Sequence, residues 1–156
     1  MSELSALYSN DYTAWAHKTA EFLRAGRFAD LDIDHLLEEL EGMGASERNE
    51  LENRLRALLA HLLKWQYQYQ QLSDRWQEFD GRSWRNTLKT QRNEILFLFE
   101  RKPGTKRFFE EAIVESYRYA RVLAADETNL PLDTFPATCQ YSQAQILDKD
   151  FYPPTE

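Results

Sequence analysis

Cysteine is all but missing from this chain of 156 residues, with Cys139 alone. One thiol cannot close an internal disulfide and cannot by itself make a zinc site. The expected setting is therefore a reducing compartment, and the expected role of Cys139 is a small, half-buried loop residue. Histidine is nearly as scarce, limited to His17, His35 and His61. The five glycines form no phosphate-cradling loop, and no G-x-S-x-G motif is present to hold a nucleophile. No run is apolar for long enough to cross a bilayer, and none alternates with period two for long enough to make a strand. The opening "MSELSALYSNDYTAW" lacks the basic start and apolar stretch of a signal or transit peptide, so the cytoplasm is the expected location.

What the chain does hold is 42% hydrophobic and 13% aromatic residues against 29% charged ones, too much apolar side chain for a disordered polymer. At this length folding buries about 70% of the extended chain's surface, enough for one core. The expectation is a single helical domain over 1–156, with a bundle in 8–128 and a docked tail in 129–156. The net charge of −7 argues against nucleic acid as a partner, since that binding runs on phosphate neutralisation. The charge is uneven: 21–54 holds ten acids and four bases, while 82–107 holds eight bases and two acids.

Helical spacing runs through every long segment. Tyr12, Trp15, Ala16, Phe22 and Leu23 follow "SND", whose Ser9, Asn10 and Asp11 are candidate N-caps, and the pattern stops at Gly26. Asp32 then caps a run with Ile33, Leu36, Leu37, Leu40 and Met43 on one face, expected to end or kink at "GMGAS" because Gly42 and Gly44 each cost about 1 kcal/mol against Ala. A central helix near 46–70 carries Leu51, Leu55, Leu58, Leu62, Trp65 and Tyr69 inward, with Lys64 and Tyr67 outward. After an aperiodic connection through Gly81, Ser83 is the expected cap of a fourth helix, with Trp84, Leu88, Ile95, Leu98 and Phe99 inward until "RKPG" breaks it. A fifth helix runs from Thr105 to about Glu127, and a capping box of Ser142 and Gln145 opens a short sixth one in the tail. The fold class is all-α, a bundle of about five helices with a proline-containing C-terminal tail.

Three blocks, "LDIDHLLEELEGMGASERNELENRLRALLAHLLKWQYQ", "RSWRNTLKTQR" and "LPLDTFPATCQYSQAQILDKDFYP", resemble a bacterial family known as domain of unknown function twenty-nine. The likeness extends from about Tyr8 to Pro153. The family's pattern falls on Asp32, Glu38, Glu39, Glu41, Arg54, His61, Lys64, Trp65 and Gln66, then on Ser83, Trp84, Thr87, Gln91 and Arg92, and finally on Cys139, Tyr141, Asp148, Phe151 and Pro153. The resemblance implies a helical domain and brings no activity with it. The chain departs from the pattern at "YQQLSDRWQEFDG", which is longer and lacks a proline.

Metal chemistry finds little to work with. A carboxylate-bridged di-metal bundle needs Glu-x-x-His pairs, whereas Asp32-x-x-His35 is better read as a helix cap beside an exposed histidine. No cofactor is expected. Arg54 and His61 border the apolar stripe of the central helix, and Thr87 and Gln91 border or enter that of the fourth. These four residues are the candidate polar network, either a structural set that fixes helix register or a small-ligand or catalytic site. Arg82, Arg85, Lys89 and Arg92 make a basic strip on the flank of the fourth helix, and Asp34, Glu38 and Glu41 make an acidic strip on the second. Such strips are either solvated or recognition surfaces. The preferred reading is a cytoplasmic protein-interaction or regulatory module whose partner is another protein. A homo-oligomer is compatible with it, and a membrane is not a partner. The alternative is a small-ligand binder or enzyme built around Arg54, His61 and Gln91.

Overall fold

Two short helices open the chain, α1 (Glu3–Asn10) and α2 (Tyr12–Arg24), in a computed structural model that describes residues 3–76 and 78–155. Helix α1 lies ahead of the start anticipated from the sequence. Asp11 caps α2, its Oδ1 accepting from the Ala14 amide at 3.1 Å, and Gly26 stops the run at a positive φ of 71°.

The element that follows corrects the sequence reading. The two helices expected either side of "GMGAS" are one helix of 43 residues, α3 (Ile33–Arg75). Glycine weakens a helix by only about 1 kcal/mol per residue and leaves its hydrogen bonds intact, unlike proline, and the neighbours of Gly42 and Gly44 include good helix formers. Next come α4 (Arg82–Arg101), α5 (Phe109–Thr128) and α6 (Gln143–Leu147), with short 3₁₀ segments at 28–30, 103–108 and 132–134. No strand occurs among the described residues, so the fold is all-α. No helix among them is long and apolar enough to cross a membrane.

The start of α4 also differs from expectation. Gly81, with φ of 72°, occupies the cap position, and Asp80 accepts from the Arg82 amide at 2.9 Å, while Ser83 already lies within the helix. A Cβ on Gly81 would meet the Tyr69 ring at 2.5 Å, so both backbone and space require glycine here.

The chain groups into two compact units, Met1–Ser46 and Glu47–Glu156. In the first, only Leu4, Trp15 and Thr19 are buried among the described residues. Of the residues read on one face of this run, Ile33, Leu37, Leu40 and Met43 are exposed at 50–56%, and Leu36 is half-buried.

The second unit holds the core. Leu51, Leu55, Leu58, Leu62 and Trp65 face inward with Leu88, Ile95, Leu98 and Phe99 of α4 and Phe109, Ile113 and Tyr117 of α5. Phe135 and Ile146 of the C-terminal segment belong to this cluster, and Tyr141, Leu147, Phe151 and Tyr152 pack against it. The extended segment has no ladder to satisfy its carbonyls, so side chains do it: Tyr117 donates to Pro136 O at 2.5 Å and Arg121 to Phe135 O at 3.0 Å. The capping box on α6 forms, with Ser142 and Gln145 exchanging bonds of 2.9 and 3.1 Å. Lys64 and Tyr67, expected outward, are half-buried, with Lys64 bonded to Glu127 at 3.0 Å and Tyr67 edge-on to Phe135. The cause is that α3 is surrounded here: Leu59, Ala60 and Leu63 are buried as well as the expected stripe.

Candidate functional site

Polar and aromatic groups converge in the first unit. Asp32, His35 and Glu39 recur on one side of α3 at helical spacing, and Tyr8, Tyr12 and Trp15 meet them from α1 and α2. Each aromatic brings an apolar body and, in the tyrosines and the tryptophan, a donor that requires an acceptor. Trp15 Nε1 donates to Asp32 Oδ2 at 3.1 Å, and His35 Nδ1 lies 2.5 Å from the same oxygen. The Tyr8 ring stacks on His35 with centroids 4.0 Å apart, and the hydroxyls of Tyr8 and Tyr12 both donate to Glu39, the latter at 2.7 Å.

The electrostatics follow from these bonds. Burial opposes ionisation of Asp32, but the bonds from His35 and Trp15 outweigh it and hold the carboxyl below its ordinary value. The two tyrosine hydroxyls lower Glu39, and Glu39 in turn pushes Tyr8 up to about 12 and raises Tyr12. Both carboxylates are thus fixed as charged acceptors. His35 is half-buried under Tyr8 instead of exposed as its wheel position implied. Ser5 Oγ lies 3.5 Å from His35 Nδ1, the nitrogen already taken by Asp32. A serine relay would need the two partners on opposite ring nitrogens, so this arrangement builds no nucleophile. Among the described residues no group of three His, Cys, Asp or Glu side chains is arranged to hold a metal ion.

The cluster pins the polar side of α3 to α1 and α2, which turns Ile33, Leu37 and Leu40 the other way. Sequence reasoning passed over it, although Tyr8, Tyr12 and Trp15 at spacings of four and three, facing Asp32, His35 and Glu39 at three and four, carried the signal.

The four residues of the candidate polar network are not bonded to one another among the described residues. His61 Nδ1 meets Ala57 O at 2.9 Å, one turn back on its own helix, and Thr87 donates to Ser83 O at 3.1 Å in the same manner. Arg54 lies 3.8 Å from Glu94, and Gln91 has a buried Oε1 with no hydrogen-bond partner among the described residues. Burial lowers the pKa of His61, reinforced by Lys64 and opposed by Ala57 O and Glu127.

The acidic strip of Asp34, Glu38 and Glu41 is exposed, as are Arg82 and Lys89 of the basic strip, with Arg85 half-buried. Arg92 does not belong with them. It is fully buried, one turn from both Leu88 and Ile95, and its Nε and Nη2 donate to Ile146 O at 2.8 Å and Gln145 O at 3.2 Å. Its partners are the open carbonyls at the end of α6, where a cation is favoured. Burial lowers its pKa, opposed by Tyr152 and Asp148.

Two open pockets border the C-terminal segment. One of about 580 Å³ is lined by Phe99, Lys106, Phe109 and Leu147, and one of about 550 Å³ by Val114, Tyr117, Arg118 and Cys139. His61 lines neither. Cys139 is half-buried, its thiol pushed up by burial, with Sγ 3.6 Å from Tyr141 O.

The described residues are thus all-α, with one continuous helix, α3, running from the sparsely buried first unit into the packed second one. The chain belongs to the family Domain of unknown function DUF29, whose model matches residues 7–152. No curated protein and no solved structure matches it.

Proposed function

We infer that this chain is a helical protein-interaction or regulatory module of the cytoplasm, and that the first unit carries the contact surface. The observation that supports this reading is the exposed stripe of Ile33, Leu37, Leu40 and Met43 in a unit with only three buried residues among those described. A unit of this size is marginal by itself, and contiguous exposed apolar surface marks interaction sites. Full burial of each large side chain against a partner contributes about 1.5–3 kcal/mol.

The reading of a small-ligand site around Arg54, His61 and Gln91 draws less support, because those groups bond elsewhere or are buried unpaired. Affinity capture from the source cell, with quantitative mass spectrometry, tests the preferred reading. The wild-type chain should enrich a partner protein that a Leu37→Asp/Leu40→Asp variant loses. Equal recovery by both chains contradicts it.

A further inference from the structure

Resting on that reading, we propose that the occupant of the exposed α3 face is a basic amphipathic helix of another protein. Taking about 100° per residue, Leu37 and Leu40 lie within about 40° of Ile33, with Leu36 and Met43 further round on one side and Glu41 and Asp34 at about 80–100° on the other. A straight apolar stripe of i, i+4, i+7 spacing on a helix accepts the matching stripe of a second helix by ridge-and-groove packing.

Charge selects the kind of helix. Between Arg27 and Arg48 stand seven acids, Asp30, Asp32, Asp34, Glu38, Glu39, Glu41 and Glu47, and no lysine or arginine. Asp32 and Glu39 are occupied by the aromatic cluster on the far side of α3. Asp34, Glu38 and Glu41 enter none of the ion pairs formed among the described residues. An occupant without basic residues would leave Asp34 and Glu41 at the rim of a desolvated contact without counter-charge, with Glu38 adding to the same negative field from further round, and like charge costs affinity. That disfavours a second copy of this face, nucleic acid and an anionic membrane. A helix with apolar residues at i, i+3 or i+4, i+7 and lysine or arginine beside them satisfies both the stripe and the acids.

The test uses the full chain and two labelled 18-residue peptides with one leucine pattern, the remaining positions lysine in one and glutamate in the other, read by fluorescence anisotropy. The lysine peptide should bind at least ten-fold more tightly than the glutamate peptide. Its affinity should fall about ten-fold on Leu37→Asp/Leu40→Asp and on Asp34→Lys/Glu38→Lys/Glu41→Lys, and the latter variant should gain affinity for the glutamate peptide. Glu110→Lys/Glu111→Lys/Glu115→Lys, an equal change of net charge on α5, should leave lysine-peptide binding unchanged. Equal weakening by the α5 variant, equal binding of the two peptides, or a dimer in sedimentation that Leu37→Asp/Leu40→Asp abolishes would each overturn the proposal. If the stripe variant loses its cellular partner while the charge-reversed α3 variant keeps it, the basic helix fails and the interaction reading stands. If neither variant alters any partner or peptide, both fail.

Discussion

The two halves of α3 share one helical period and one kind of residue, yet their apolar faces meet opposite fates. From Leu51 to Trp65 the stripe is buried, with Leu51, Leu55, Leu58 and Leu62 at 0% exposure; at the same spacing Ile33, Leu37, Leu40 and Met43 are at least half exposed, with Leu36 beside them half-buried. Helical amphipathicity decides which residues share a face, and neighbours alone decide whether that face is covered. In the second unit α4, α5 and the C-terminal segment supply those neighbours. In the first unit α1 and α2 pack on the polar side of α3 through Asp32, His35 and Glu39, and Ile33, Leu37, Leu40 and Met43 stay exposed.

Removing the cover of the packed half should produce the largest effect. Truncation after Asn129 deletes Phe135 and Ile146, exposed at 1% and 0%. At about 1.5–3 kcal/mol for each buried side chain, and about 2–4 °C per kcal/mol for a chain of this size, the melting temperature should fall by roughly 10 °C. An unchanged melting point by circular dichroism would mean that the segment contributes nothing to the core.

A matched pair of substitutions separates the two halves directly. Leu58→Ala should cost about 2–5 kcal/mol in denaturant melts, as for a fully buried leucine. Leu37→Ala, at an exposed position, should change stability by about 0.5 kcal/mol or less. Similar losses at both sites would show that the first half is covered within the chain.

Arg92→Met conserves length but removes the donors to Gln145 O and Ile146 O, leaving buried carbonyls unpaired. The expected loss is about 1–3 kcal/mol by urea melt. A variant as stable as the parent would mean that water or apolar packing replaces the guanidinium at no cost.

The smallest effect is a pH dependence. His61 is depressed below its ordinary value in the folded chain, chiefly by burial. The unfolded chain therefore takes up a proton near pH 6.5 that the folded chain refuses. The stability tied to neutral His61 is complete above that pH and drains as pH falls through the lower folded value. Urea melts between pH 7.5 and 5.5 should show the parent losing more stability on acidification than His61→Gln. Identical slopes would mean that His61 titrates freely.

Periodicity made the second half of α3, the capping box on α6 and the inward faces of α4 and α5 legible, because each depends on residues within a few positions of one another. Sequence could not say that α3 passes through Gly42 and Gly44, since two penalties of about 1 kcal/mol are outweighed by the rest of a long helix. Nor could it place His35 and Arg92. Their wheel positions assign a face, but their partners, Tyr8 and the carbonyl of Ile146, lie 27 and 54 residues away. The exposed stripe was hidden for the same reason, because an amphipathic pattern reports a face that wants cover and carries no record of whether the chain provides it.

Amide hydrogen exchange along α3, followed by mass spectrometry on the isolated chain, tests the contrast most directly. Backbone amides open locally at a cost set by how well their element is packed. The account predicts that peptides covering Leu51–Trp65 exchange only through the rarest openings, while those covering Ile33–Ser46 exchange faster by roughly two orders of magnitude, about 3 kcal/mol less protection. Uniform protection from Ile33 to Trp65 would contradict it, because the first half of the helix would then be as well covered as the second.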